Sequence, residues 1–447
     1  MNPSVGQRLL WFLDRYRGDN GSLNCPLLCR IRGPLATHQL KAALDATVAR
    51  HDSLRSVFAG GGRKLVQTVR DPAPTELIEV DLGTAADPQA VVDEAIAAEL
   101  RTRIDPSRCP LRVRLWRLAD DDHVLCVNMH HLVTDSWSLG IIFEDLCAAL
   151  ELAAGQNRPM PGLGWQYGDF VAAQEAELAG DGKRRLDGYW RGQLAGMRLP
   201  ALPLAPEQPG RAGRQTALAR GVIGPDVVAG LRQLARAERT TLFTVLLAAY
   251  YAMLYRHTGD PDVCVATLFA NRSRPQTKRT VGFLANMVIL RTRLVPDGTF
   301  AGQVRAAHAT VIGGFLHQAL PYQMLPLSTG HAGQRADDVV FQMLADPVYT
   351  TTSAGLEIEV LVPEGVGSRF EFELVLVPDG HGFRVLLFYD VGRLDAGFAE
   401  KFVGQFVQAA QTVAKDPEAV LARSAAAGAA GAEAHAPYSP GGRAVQN

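Results

Sequence analysis

The stretch that most constrains this chain runs from His123 to Leu150. His123–Met129 (HVLCVNM) is a largely apolar run of the length a buried strand needs. Leu139, Ile142, Phe143, Leu146 and Leu150 then recur at the spacing of a helix that buries one face. Between them lie His130, His131, Leu132, Val133, Thr134 and Asp135. A strand that turns directly into a helix calls for a sheet covered by helices. It also places polar side chains at a turn, where they can face a cavity while both flanks stay in the core. Neighbouring side chains at a strand end point to opposite sides. His130 and His131 are therefore expected to divide two roles, one at the cavity and one locked into the fold. His131 is the candidate base, because a neutral imidazole with an ordinary pKa near 6.5 accepts a proton at neutral pH. Asp135 is placed to orient an imidazole or to pair with an arginine.

The rest of the chain repeats this grammar. At 447 residues it is too long for one ordinary core, so two lobes are expected. In the first half, helices are expected at 4–17, Thr37 to His51 and Val91 to Arg103, and strands at Asn24 to Arg32 and Leu111 to Leu118. In the second half, helices are expected at Asp226 to Arg239, Thr241 to His257, Phe300 to His317 and 395–414. Strands alternate with them at Asp262 to Leu268, Val288 to Leu294, 338–344, 370–377 and 383–389. The proline-rich stretch 199–213 reads as the crossing between lobes. The division is 1–175 for the first lobe, 176–213 for the connection, 214–420 for the second lobe, and 421–447 for an alanine- and glycine-rich disordered tail.

Several function classes are excluded on composition. A net charge of -1 lacks the basic footprint of a nucleic-acid binder. No apolar run approaches the roughly 18 residues of a membrane span, and the N-terminus lacks the pattern of a signal peptide. The six cysteines form no paired zinc pattern, so buried, reduced thiols in a cytoplasmic protein are expected. No third ligand stands near the histidines at a recognised metal spacing, so no metal is expected. Ser136-Trp137-Ser138-Leu139-Gly140 falls one glycine short of a nucleophile elbow, and Ser138 lies nine positions past Met129 rather than at the strand end.

The stretch His130–Ser136 resembles the HHxxxDG signature of condensation domains of non-ribosomal peptide synthetases, within the chloramphenicol-acetyltransferase-like superfamily. Companion motifs occur in order. Ser4 to Trp11 is similar to S-x-A-Q-x-R-L-W, and Arg50 to Phe58 to R-H-E-x-L-R-T-x-F. Tyr167-Gly168-Asp169-Phe170 with Gln174 resembles Y-x-D-F-x-x-W-Q, and Val281 to Asn286 resembles I-G-F-F-V-N. His317 to Tyr322 resembles H-Q-D-x-P-F, and Ser368 to Glu371 resembles a late R-F-D-L. The resemblance implies a mixed α/β (α+β) fold of two acetyltransferase-like lobes, a V-shaped pseudo-dimer with a central tunnel. It implies that peptidyl or acyl carrier proteins present phosphopantetheine-tethered substrates from opposite faces, with no cofactor bound by the chain itself.

Carried over residue by residue, the resemblance makes His131 the catalytic histidine, acting as a base or as an orienting hydrogen-bond partner for the acceptor. It makes His130 and Asp135 structural, with Asp135 paired to Arg272 of the second lobe and Arg274 as the fallback. Trp137, Ser138, Asn286 and Gln318 are expected along the tunnel. Ser136 stands where the family has glycine; it keeps the backbone N–H but narrows the space for a bulky donor. Glu371 and Ala319 replace aspartates. The aspartates of heterocyclisation relatives and the E-G-H-G-R-E stretch of epimerisation relatives are absent from the sequence. Two organisations stay open, a free-standing condensation enzyme and an excised domain. Two functions stay open as well: acyl or aminoacyl transfer to an amine or hydroxyl acceptor in antibiotic-type biosynthesis, and a degenerate platform that binds carrier proteins or tailoring enzymes.

Overall fold

The computed structural model describes residues 1–16, 21–205, 215–296, 298–327, 335–344, 350–361, 368 and 370–420. The chain opens with α1 (Val5–Tyr16). Ser4 Oγ accepts from the Gln7 N–H at 3.1 Å and Gln7 Oε1 accepts from the Ser4 N–H at 2.9 Å, a reciprocal cap on that helix. Then follow β1 (Asn24–Arg32), α2 (Thr37–Arg50), β2 (Ser56–Ala59), β3 (Val66–Val69), β4 (Leu77–Asp81), α3 (Pro88–Arg101), β5 (Leu111–Ala119), β6 (Asp122–His130) and α4 (Ser136–Ala153). After α5 (Tyr167–Leu178) and α6 (Asp181–Leu194) come β7 (Thr216–Ile223), α7 (Pro225–Ala237), α8 (Leu242–Thr258), β8 (Asp262–Phe269), β9 (Asn286–Arg293) and α9 (Phe300–Leu316). The chain continues through β10 (Val339–Met343), β11 (Thr350–Ser353), β12 (Leu356–Leu361), β13 (Phe372–Asp379), β14 (Gly382–Asp390) and α10 (Ala396–Lys415).

Two six-stranded sheets result, in the orders β11-β12-β1-β6-β5-β4 and β7-β14-β13-β10-β8-β9, with β2 and β3 as a separate ribbon. The first sheet is covered on both faces, which explains why β6 reads as an apolar run rather than an alternation. Leu125, Val127 and Met129 pack in a core with Leu40 and Leu44 of α2 and Ile142 and Leu146 of α4. Val124 and Cys126, between them in sequence, pack instead with Leu28, Trp116 and Val92 of α3. The second core gathers α7, α8 and α10 around Val340, Leu374 and Leu387.

Three findings depart from the sequence reading. β11 and β12 lie within 214–420, the span assigned to the second lobe, yet they complete the first sheet. β12 pairs antiparallel with β1, from Leu28 opposite Leu361 to Arg32 opposite Glu357. The sequence reading has no strand over 350–361, and local alternation cannot say which sheet a strand joins, because pairing partners are set by tertiary packing. The connection 176–213 contains α6, whose Leu186, Trp190 and Leu194 are buried in the second core. The edge strands β4 and β7 carry half-exposed residues and no strong apolar pattern. Residues 206–213 and the tail 421–447 lie outside the described residues. Five cysteines are buried and free, whereas Cys109 is free and exposed.

Candidate active site

The turn between β6 and α4 is held from four directions. The His130 N–H donates to the Pro110 carbonyl and the His131 N–H to the Leu23 carbonyl, both at 2.8 Å. Gln7 Nε2 donates to the Leu132 carbonyl at 2.9 Å, tying α1 to the turn. Leu132 and Val133 are fully buried beneath it.

The two histidines face different surroundings. His130 is buried; its Nδ1 accepts from the Leu132 N–H at 3.1 Å, so its proton sits on Nε2, which lies 3.3 Å from Asp14 Oδ1. Arg103 Nε also donates to Asp14 at 3.1 Å. Burial pushes the Asp14 carboxyl up, but the bonds from His130 and Arg103 outweigh it and hold it below its ordinary value. His131 is half-buried, with Nδ1 2.8 Å from the Thr134 carbonyl. A carbonyl only accepts, so Nδ1 carries the proton and the neutral ring has its lone pair on Nε2. The imidazole stands edge-to-face against Phe283, with ring centroids 5.3 Å apart and planes at 81°.

Asp135 caps α4 and joins the two halves of the chain. Oδ1 accepts from the Ser138 N–H at 2.8 Å, Ser138 Oγ at 2.7 Å and Arg272 Nη2 at 3.1 Å. Oδ2 accepts from Arg272 Nη1 and from the Leu284 and Ala285 N–H groups, each at 3.0 Å. Burial pushes this carboxyl up, but Arg272 and the Ser138 bonds prevail and keep it ionised below its ordinary value of 3.8. Arg272 also donates to Ser138 Oγ at 2.8 Å and to the Ala270 and Thr280 carbonyls at 3.0 Å. Arg274 is instead on the surface, 3.0 Å from Glu177. A second seam lies one face along α4. Buried Asp145 accepts from His51 Nε2 and Arg50 Nε at 2.9 Å and from Arg279 Nη2 at 2.6 Å.

A cavity of about 430 Å³ lies between α1, Phe283–Met287 and Pro321–Gln323. Of the four residues expected along the tunnel, one lines this cavity. Asn286 lines it, though its amide is committed to the Gln318 and Leu320 carbonyls at 2.7 Å and to the Tyr322 N–H at 3.0 Å. Trp137, Ser138 and Gln318 do not line it. The Trp137 indole N–H donates to the Lys278 carbonyl at 3.1 Å, and the Arg272 guanidinium lies 5.8 Å from the Trp137 ring centre. Ser138 is wholly buried, because position three after a capping aspartate turns into the seam. Buried Gln318 bonds the Phe315 carbonyl at 2.8 Å and the Asn271 N–H at 3.1 Å. Ser136, the first residue of α4, is exposed. Residue-level reading missed Tyr167 and Phe283. Tyr167 Oη bonds Ser4 Oγ at 2.8 Å and the Phe283 carbonyl at 2.9 Å. Their signal was available, since both fall inside companion motifs. Among the described residues, no cluster of three or more His, Cys, Asp or Glu could hold a metal.

Two covered sheets joined at a seam beside a histidine-bearing turn define a mixed α/β protein of the chloramphenicol-acetyltransferase-like kind. The Condensation domain family model matches residues 4–433. The chain belongs to the condensation domain family. It is 28% identical over 425 residues to a linear gramicidin synthase of Brevibacillus parabrevis, covering 93% of this chain and 6% of that protein. It is 30% identical over 428 residues to phosphinothricin tripeptide synthetase PhsC of Streptomyces viridochromogenes, covering 93% of this chain and 39% of that protein. The chain thus spans well under half the length of these relatives. Among solved structures, the X-domain from teicoplanin biosynthesis matches with a TM-score of 0.80 at 23% identity, over 94% of this chain and 96% of that one. The starter condensation domain of rhizomide synthetase RzmA matches with a TM-score of 0.81 at 19% identity, over 94% and 95%. Among the described residues no helix is long and apolar enough to cross a membrane.

Proposed function

We propose that this chain transfers an acyl or aminoacyl group from the phosphopantetheine thioester of a carrier protein to an amine or hydroxyl acceptor. The observation that carries this reading is the His131 Nδ1 bond to the Thr134 carbonyl, which sets the lone pair on Nε2 of a half-buried imidazole. In this reading Nε2 takes the acceptor's proton as its nitrogen or oxygen attacks the thioester carbon. The C–S bond then breaks, and the departing thiolate takes the proton from the imidazolium, leaving free thiol, neutral His131 and an amide or ester. The first-turn N–H groups of a helix and the positive end of its dipole suit the developing oxyanion, and the head of α4 would supply them here. Ser136 supplies one of these N–H groups as glycine would, while its side chain disfavours bulky donors. His130 and Asp135 hold the turn and take no proton from substrate.

Loaded carriers offered an amine and an alcohol, with products read by intact mass, test the reading. Product from the native chain and its loss in His131→Ala support it; undiminished turnover in His131→Ala removes the base role. A second reading, a non-catalytic platform for carriers or tailoring enzymes, draws on the likeness to the teicoplanin X-domain, which has also been solved in complex with OxyB. It predicts carrier binding by the native chain with no product from any loaded carrier.

A further inference from the structure

The segment that meets His131 from the second half of the chain, Gly282–Ala285, is pinned along its backbone. The Gly282 N–H and carbonyl lie 3.1 and 3.0 Å from Ser138 Oγ. The Phe283 carbonyl accepts from Tyr167, and the next two N–H groups donate to Asp135. Gly282 permits the approach, because a Cβ there would lie 2.1 Å from the Tyr167 ring. Phe283 is left only side-chain rotation, and that too is bounded. One side of its ring meets the His131 imidazole. Another edge lies so near Gly6 that a Cβ at position 6 would sit 2.8 Å from Cε1 and 3.1 Å from Cδ1. Gly6 is in α1 and has no positive φ, so its backbone does not call for glycine, which is a poor helix former. The Phe283 ring accounts for it. The same ring lines the 430 Å³ cavity, whose lining omits His131 and is mostly apolar, with Leu9, Leu13, Leu284 and Met287.

The geometry points to Phe283 as the positioning and specificity-determining residue of this site: its ring, seated against Gly6, fixes the imidazole plane and partitions the cavity from Nε2. The positioning half stands on the geometry alone. The specificity half rests on the acyl-transfer reading: the cavity houses an apolar group of a substrate, and the ring sets how large that group can be.

Nuclear magnetic resonance on the full chain, with ¹³C-labelled histidine, tests the positioning half without activity. His131→Ala assigns the His131 ring C–H signals. They should move when Phe283→Leu removes the aromatic ring current, move again in Gly6→Ala as the ring is displaced, and stay close to native in Phe283→Tyr. Unmoved signals in both Phe283→Leu and Gly6→Ala overturn the contact. Should Phe283→Leu fail to fold, Gly6→Ala decides, and the Gly6→Ala/Phe283→Leu pair should recover thermal stability lost by Gly6→Ala alone. The specificity half is read with acyl N-acetylcysteamine thioesters and apolar amines of increasing size. Phe283→Leu should raise the bulky-to-small ratio of kcat/KM about tenfold and displace the acid limb of the pH–rate profile. An unchanged ratio overturns the partition. If the native chain transfers nothing to any acceptor, the acyl-transfer reading and the specificity half fall, while the resonance test still decides the positioning half.

Discussion

At the scale of single residues, the acyl-transfer reading separates a group for proton transfer, His131, from groups that hold it. Replacing His131 with alanine should lower turnover about 10²–10⁴-fold with little change in melting temperature, measured side by side on one preparation. Asp135 and Arg272 belong to the other kind, with side chains 2% exposed each. Removing one partner strands a buried charge, so Asp135→Asn or Arg272→Ala should each cost about 3–5 kcal/mol in urea unfolding. Replacing both together should cost less than the sum. The pair also gives stability a pH dependence. The folded carboxyl of Asp135 is depressed, so its contribution is present above the ordinary value of 3.8 and is lost as pH falls through the lower, folded value. Urea midpoints taken downward from pH 5 should fall more steeply for the native chain than for Asp135→Asn. The split between His130 and His131 was legible because strand alternation separates neighbours. The role of Ser138 was not, because adjacency to the motif does not say whether a side chain turns to the cavity or to the seam.

At the scale of elements, α4 is the part from which the site is assembled. Its cap, Asp135, is also the inter-half ion pair, and its third residue, Ser138, reaches across to Gly282. Ser138→Ala leaves Asp135 its backbone cap but strips one bond each from Arg272 and the Gly282 N–H. It should cost about 1–3 kcal/mol and lower kcat more than it raises KM, as seen in stability and kinetics on one preparation. Helices and central strands were legible at their own positions, since the shift from strand to helical periodicity marks β6 to within one residue and α4 to within three. The edges were not. β4 and β7 lie at sheet margins where one side needs no apolar partner, so their residues carry little pattern.

At the scale of the whole molecule, the two sheets are not two consecutive blocks of sequence. β11 and β12 leave the second half and close the first sheet, with Ser353 Oγ 3.0 Å from both the Cys147 carbonyl and Glu151. Ile358 of β12 is 4% exposed in the first core, so Ile358→Ala should cost about 2–5 kcal/mol although it lies far along the chain from most of that core's members. A fragment ending at residue 205 should expose the β1 edge and self-associate, which sedimentation of the purified fragment would reveal. Two lobes were legible from length and repetition. The exchange between them was not, because it depends on a pairing that no window of sequence contains.

That pairing also sets a clock. Leu28 waits for Leu361, 333 residues later in the chain. At ~5–20 residues per second on the ribosome, β1 stands with one side bare for roughly 17 to about 67 s while the second half is made. The emerging chain therefore carries an open strand edge through most of its synthesis. Yield in a cell should depend on what shields that edge in the meantime as much as on how stable the finished fold is.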